Sequence, residues 1–252
     1  MSARALARRT ARRLLASRGF ELRRMDTADF GLDACLTKLL RETSTSVVLD
    51  VGANHGGFVD YVRGQGYEGR VLSFEPLPQP FATLERRVEG DPRWEAVQAA
   101  IGDAPGTATM RRSGRADVTS SLLATTDAMV GFLPAAAPGE EVEVTVSTID
   151  EQVADRLSPD QRPFLKIDTQ GNELPVLRGA EETLRRATGV LVELSLVELY
   201  EGQALYGEII DWLTARNHFL LAVAPAFHER ATGRLLQLDA LFGVLPVASR
   251  GL

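Results

Sequence analysis

Apolar positions follow two spacings along this chain, and their alternation predicts a layered architecture. Val47, Val48, Leu49 and Val51 make a short continuous apolar run, the pattern of a strand covered on both faces of a parallel sheet. The chain then breaks into Gly52-Ala53-Asn54-His55-Gly56-Gly57, and Phe58, Tyr61 and Val62 resume at helical spacing. Arg70–Phe74 reads as a second strand that ends on Glu75, Pro78–Arg87 as a crossover helix, and Trp94–Ile101 as the third strand. Pro163–Ile167 and Gly189–Leu196 are two more buried runs, separated by a helix over Glu173–Arg186. Pro175 falls in that helix's first turn, where a missing N–H costs little. Asp26–Glu42, Ile149–Leu157 and Tyr206–Arg216 read as further helices. His218–Val223 and Leu235–Leu245 close the chain as strands with no helix between them. The series predicts an α/β, doubly wound sheet, mostly parallel, with an antiparallel strand at one edge.

Gly106–Arg112 and Glu141–Val146 alternate like strands. The stretch between them, Ser113–Gly139, is rich in small and polar residues and weakly patterned. A segment of that length is usually a lid or disordered. It is read as an insertion near the mouth of a site, with Asp117, Ser120 and Ser121 as candidate contacts. The chain then divides into a helical extension, 1–44, and a domain, 45–247, carrying a β-rich insertion at about 104–147.

Composition narrows the partners. An apolar share of 44% and a charged share of 25% are those of a soluble globular domain. A net charge of −6 argues against nucleic acid, whose binding rests on clustered cations. No apolar run approaches the roughly 18 residues of a membrane span. A single Cys35 excludes an internal disulfide, fits a reducing cytoplasm and reads as a small buried hydrophobe. Eight arginines crowd the first 24 residues against one acid, Glu21. A solvated helix is preferred there over a membrane-surface helix. Oligomeric state is not legible.

The strand–glycine turn–helix at Val47–Phe58 lets backbone approach a ligand closely. Glu75, at the next strand end, is placed to accept two ribose hydroxyls. A dinucleotide turn needs a second glycine where Asn54 stands, and Asp50 would repel a diphosphate. Asp50 suits the ammonium and sulfonium charges of S-adenosylmethionine instead. Ala100 and Ile101 are candidates to sandwich the adenine and Asp103 to meet its amine, or Gly102-Asp103 is simply a turn.

Ligands in such sheets bind at the carboxyl ends of strands. Asp168 is therefore the leading catalytic candidate, as general base or metal ligand, against a helix-capping role. Lys166 points to the same sheet face as Asp168, and a buried lysine needs a partner, which Asp168 or Glu193 would supply. Asp168 and Glu193 together could hold one Mg²⁺, but a metal-free ion-pair network is preferred. His55 lies in the cofactor turn as a possible base. His218 reads as structural and His228 as a residue of the last loop near the rim. Tyr200 and Glu201 line an acceptor pocket or cap a turn.

Several blocks resemble the FkbM family of S-adenosylmethionine-dependent methyltransferases. They are D-V-G-A-N-H-G-G-F (Asp50–Phe58), F-E-P (Phe74–Pro76), A-I-G-D (Ala100–Asp103) and T-I-D (Thr148–Asp150). More specific are L-K-I-D-T-Q-G-N-E-L-P-V-L-R-G-A (Leu165–Ala180) and V-E-L-S-L-V-E-L-Y-E-G-Q (Val192–Gln203). The resemblance implies a class I methyltransferase Rossmann-like fold and O-methylation of a natural product: a polyketide, sugar or related secondary metabolite. By the same analogy Asp50, Gly52, Asn54 and Glu75 hold the cofactor and Asp168 lies near the transferred methyl. His55 occupies a position the family leaves variable. The competing reading is a noncatalytic domain of this fold that binds a nucleoside or a protein; an oxidoreductase ranks third, disfavoured by Asn54.

Overall fold

The computed structural model describes residues 31–113 and 119–244. The arginine-rich start, the first residues of the helix expected from Asp26, and Asp117 and Leu245 lie outside the described residues.

Leu36, Leu39 and Leu40 form the buried stripe of α1 (Leu32–Glu42). Then β1 (Val47–Val51), α2 (Gly57–Gly64), β2 (Arg70–Phe74), α3 (Pro78–Val88) and β3 (Trp94–Val97) follow as alternating strand and helix. The expected third strand is split. Its second part, β4 (Ala100–Ile101), leaves the main sheet and pairs in parallel with β6 (Pro138–Ser147). With β5 (Gly106–Ser113), antiparallel to β6, they make a three-stranded sheet in the order β4-β6-β5. Inside the weakly patterned stretch, Thr126 caps α4 (Asp127–Phe132) by accepting from Met129 N, and Met129 packs with Leu199 and Tyr200.

After α5 (Ile149–Ala154), β7 (Pro163–Ile167) re-enters the main sheet. The single helix expected over Glu173–Arg186 is two, α6 (Glu173–Arg178) and α7 (Glu181–Leu184). The break has a cause elsewhere in the chain. Asp150, in α5, accepts from the backbone N–H of Glu182 and Thr183 and so supplies the start of α7 with a carboxylate. Gly179 at the break packs so tightly that a Cβ there would lie 2.0 Å from the Gly102 carbonyl oxygen. The chain ends with β8 (Gly189–Ser195), α8 (Tyr206–Thr214), β9 (Phe219–His228) and β10 (Leu235–Gly243). His228 is thus the last residue of a strand longer than expected, paired with Leu235, and not a loop residue.

The main sheet has seven strands in the order β3-β2-β1-β7-β8-β10-β9. All neighbours are parallel except β10, which runs antiparallel to both β8 and β9. This is the class I methyltransferase arrangement. Alternate residues of each strand feed two cores. Val47, Leu49, Val51, Leu165, Ile167, Val190, Val192, Ala240 and Phe242 pack on one face with α5 to α8. Val48, Phe164, Leu191 and Leu241 pack on the other with α1, α2 and α3. Among the described residues no helix is long and apolar enough to cross a membrane.

Candidate functional site

A cavity of about 540 Å³ opens beyond the carboxyl ends of β1, β2 and β7. The same two-residue alternation that builds the second core sets its floor. Ser73, Asp50 and Lys166 are in register on adjacent strands and share the α1–α3 face. Lys166 Nζ lies 3.3 Å from Asp50 Oδ1 and 2.9 Å from the Gly52 carbonyl. Asp50 Oδ2 accepts from the Ser73 hydroxyl, which in turn accepts from Trp94 Nε1. Asp50 is 0% exposed. Its carboxylate therefore faces the buried ammonium, not the cavity, where it was expected to meet a cationic ligand. Lys166 lines the cavity in its place. Burial pulls the ammonium pKa down, but Asp50 and then Asp168 outweigh it and hold the value above the ordinary lysine range.

The glycine turn is fixed by geometry that few residues tolerate. Gly52 has φ +75°, and a Cβ there would stand 1.9 Å from the Asp168 carbonyl oxygen. Asn54 takes the left-handed region at φ +48°, which asparagine accepts more readily than most residues. The Asn54 backbone N–H donates to Glu75 Oε2 at 2.8 Å, and the Leu77 N–H donates to Glu75 Oε1 at 2.9 Å. Burial raises the Glu75 carboxyl to about 7, opposed by those two N–H groups. Asn54 Oδ1 is buried without a hydrogen-bond partner on a residue that lines the cavity. Beyond Glu75 the wall turns apolar, with Leu77, Ala99, Ala100, Ile101, Met110 and Leu122.

At the other end, Asp168 has a 41% exposed side chain and lines the cavity. Its Oδ1 accepts from Gln170 Nε2 at 2.8 Å, and its Oδ2 lies 3.7 Å from Lys166 Nζ. Gln170 is the hub. The same amide nitrogen donates to Glu193 Oε2 at 3.0 Å, while Gln170 Oε1 accepts from the Tyr200 hydroxyl at 2.8 Å. Glu193 also accepts from Gln237 Nε2 at 2.5 Å. The loop that aims Gln170 is tied by Glu173, which accepts from the N–H groups of Thr169 and Gly171. Burial drives Glu173 up to about 7.

These contacts bear on the Mg²⁺ reading. A cation shared by Asp168 and Glu193 would have to displace an amide nitrogen already bound to both. Among the described residues no three His, Cys, Asp or Glu converge as a metal-binding group. Asp168 and Glu193, held by that amide, do not fit a shared metal.

Gly52, Asn54, Glu75, Ala100, Ile101, His55, Lys166, Asp168 and Ser120 all line the one cavity. Others do not. Asp103 is exposed and absent from the wall. Glu193 is not a wall residue and accepts from the amide of Gln170, which is one. Ser121 donates to the Gln170 carbonyl and the Tyr200 hydroxyl to its side-chain oxygen, and neither lines the cavity. His218 is buried away from it, and His228 is an exposed strand end. Among the polar wall residues, Gln170, Asn172 and Asp239 had no role assigned from the sequence. Asn172, whose amide donates to the Ile101 carbonyl, and Gln170 lay in the strand-end loop already marked by Asp168. Asp239 carried a weaker signal, one acid inside the apolar closing strand.

The model of the FkbM methyltransferase domain matches residues 50–220. The 31-O-demethyl-FK506 methyltransferase FkbM of Streptomyces tacrolimicus is 29% identical over 204 residues, covering 71% of this chain and 74% of that protein. The 2-O-methyltransferase NoeI of Sinorhizobium fredii is 26% identical over 180 residues, 69% of this chain and 73% of its own. Among solved structures, an rRNA methylase from Streptococcus thermophilus superposes with a TM-score of 0.46 at 10% identity, covering 84% of this chain and 96% of its own.

Proposed function

The chain belongs to the FkbM methyltransferase family, and from that premise we propose that it transfers a methyl group from S-adenosylmethionine to a hydroxyl of a natural product: a polyketide, sugar or related small molecule. The observation that carries the reading is Glu75. Its two oxygens each take one backbone N–H. A carboxylate has about four acceptor directions, so two remain for the paired hydroxyls of a ribose. The orphaned Asn54 Oδ1 beside it offers one more acceptor. The apolar wall from Leu77 to Ile101 suits an adenine. A volume of about 540 Å³ falls within the range that encloses a small ligand.

Bound there, the donor supplies a methyl on positively charged sulfur. The chain's residues orient and enclose. Lys166 ties the Gly52 carbonyl to Asp50 and so fixes the turn under the donor. Asp168, held by the Gln170 amide, aims a carboxylate at the approaching acceptor hydroxyl, which must sit in line behind the methyl at near-attack distance. His55 stands exposed at the rim. The NoeI relative, named a 2-O-methyltransferase, and the FkbM relative, named for a 31-O-demethyl compound, support oxygen as the accepting atom.

Calorimetric titration with S-adenosylhomocysteine, followed by a mass screen of methyl glycosides and macrocyclic alcohols incubated with the donor, tests this. Saturable binding and a gain of one methyl are expected. No binding would remove the cofactor assignment. Binding with no methylated product across both classes would favour the noncatalytic reading.

A further inference from the structure

β10 enters the site from the side opposite to Glu75. It runs antiparallel to β8, which sets Asp239 across from Glu193 and on the same face as Leu241 and Lys166. Asp239 lines the cavity beside Leu191, Lys166, Asp168 and Gln170. The other carboxylates at this end already have donors. Asp168 takes the Gln170 amide and faces Lys166, and Glu193 takes the amides of Gln170 and Gln237. The Asp239 carboxylate takes no hydrogen bond and makes no ion pair among the described residues. An acceptor alcohol has a pKa of roughly 16 and reacts poorly unless a positioned group removes its proton. Burial, and then the charge of Asp168, lift the Asp239 carboxyl to about 6 against the pull of Lys166. That matches a base working near neutral pH. The charged groups facing it are Lys166 from β7, Asp168 just beyond its end, and Glu193 from β8; its neighbour on β9 is Ala224, uncharged.

We propose that Asp239 is the general base of the reaction, the unengaged carboxylate on the cavity wall that accepts the proton of the acceptor hydroxyl. The proposal rests on the methyl-transfer reading above. The acceptor oxygen gives its proton to the Asp239 carboxylate as its C–O bond to the methyl forms and the donor's C–S bond breaks. The sulfonium leaves as a neutral thioether, and Asp239 is left as a carboxylic acid. Asp168 then serves to orient the hydroxyl.

The test compares wild type with Asp239→Asn in three measurements. The first is carbon NMR of ¹³C-aspartate-labelled protein saturated with S-adenosylhomocysteine, titrated from pH 4 to 8. One carboxyl should titrate near 6 and vanish in the variant. The second is calorimetry with S-adenosylhomocysteine, where the variant should stay within about twofold of wild type. The third is methyl transfer to a mixture of neutral methyl glycosides, neutral because the wall's lysine is already engaged. Here the wild-type rate should rise with pH through about 6, and the variant should be slower by about 10²- to 10⁴-fold with the rise gone. A titration in the ordinary aspartate range, a more than tenfold loss of S-adenosylhomocysteine affinity, or a pH profile unchanged by the substitution would each overturn the proposal. A wild type that binds no S-adenosylhomocysteine fails at the earlier step and removes the methyl-transfer reading itself.

Discussion

Glu75→Gln separates what a carboxylate does at the ribose position from what any similar side chain would do. The native group satisfies two backbone N–H groups, of Asn54 at 2.8 Å and of Leu77 at 2.9 Å. Glutamine has one carbonyl oxygen, so one N–H would face an amide NH₂ and stay unpaired, and one acceptor would be withdrawn from the ligand. The unpaired N–H weakens the free and the bound protein alike, whereas the lost acceptor acts on the bound state alone and leaves a ribose hydroxyl unsatisfied at about 1–3 kcal/mol. Affinity for S-adenosylhomocysteine should therefore fall by about 5- to 150-fold. The pH dependence is sharper. Glu75 is raised to about 7 in the free protein, and hydroxyl donors favour its ionised form. Wild-type affinity should rise by up to about tenfold between pH 6 and pH 8, with a proton released on binding. Calorimetry in two buffers of different ionisation enthalpy measures both. The variant should show neither the slope nor the proton. Glu173 is also raised to about 7, but the comparison cancels it. A variant within twofold of wild type at both pH values, or a flat wild-type profile, would refute the reasoning.

Other outcomes follow from the same geometry. Lys166→Met leaves the fully buried Asp50 carboxylate with only the Ser73 hydroxyl; urea unfolding should show a loss of about 3–5 kcal/mol, partly restored by adding Asp50→Asn. No restoration would mean the two charges do not act as a pair. Gly52→Ala meets both a positive φ and a Cβ position 1.9 Å from the Asp168 carbonyl. Urea unfolding should show a loss exceeding the about 1–2 kcal/mol of a left-handed residue alone, with S-adenosylhomocysteine binding abolished; retained binding would show that the turn can open. Glu75 and Glu173 have folded-state values raised to about 7, above the ordinary glutamate range. Their contribution is present at low pH and lost as pH rises to about 7. Stability of the ligand-free protein, read by urea unfolding at pH 5 and pH 8, should therefore be lower at pH 8 by about 1–3 kcal/mol per group; equal values would show that neither is shifted.

Much of the sheet could be read without coordinates because buried parallel strands need predominantly apolar runs, and β1, β2, β7 and β8 have them, each interrupted by only one or two polar residues. The elements that went astray are those whose limits depend on partners distant in sequence. The strand expected over Trp94–Ile101 splits because β4 finds its neighbour in β6. The helix expected over Glu173–Arg186 divides because Asp150 caps its second half. Asp50 stood at the expected strand position, but whether its carboxylate met a ligand or a lysine depended on which strand lay beside β1. That neighbour is β7, and its register sets Lys166 against Asp50. Gln170 fell in a loop already marked for chemistry, yet its reach to Asp168, Glu193 and Tyr200 required a backbone at φ +56° that no spacing announces.

The sequence by itself determined the alternation of strands and helices, the glycine turn, and the acids at the strand ends, since these follow from local periodicity and local backbone preference. Only the tertiary structure decided which of those acids face the cavity. Strand order and register choose each side chain's neighbour, and a buried charge settles with the partner that register provides. Asp50 went to Lys166 and Glu75 to two backbone N–H groups and the cavity, while Asp239, inside β10 and given no role by the sequence pattern, was left with an open face.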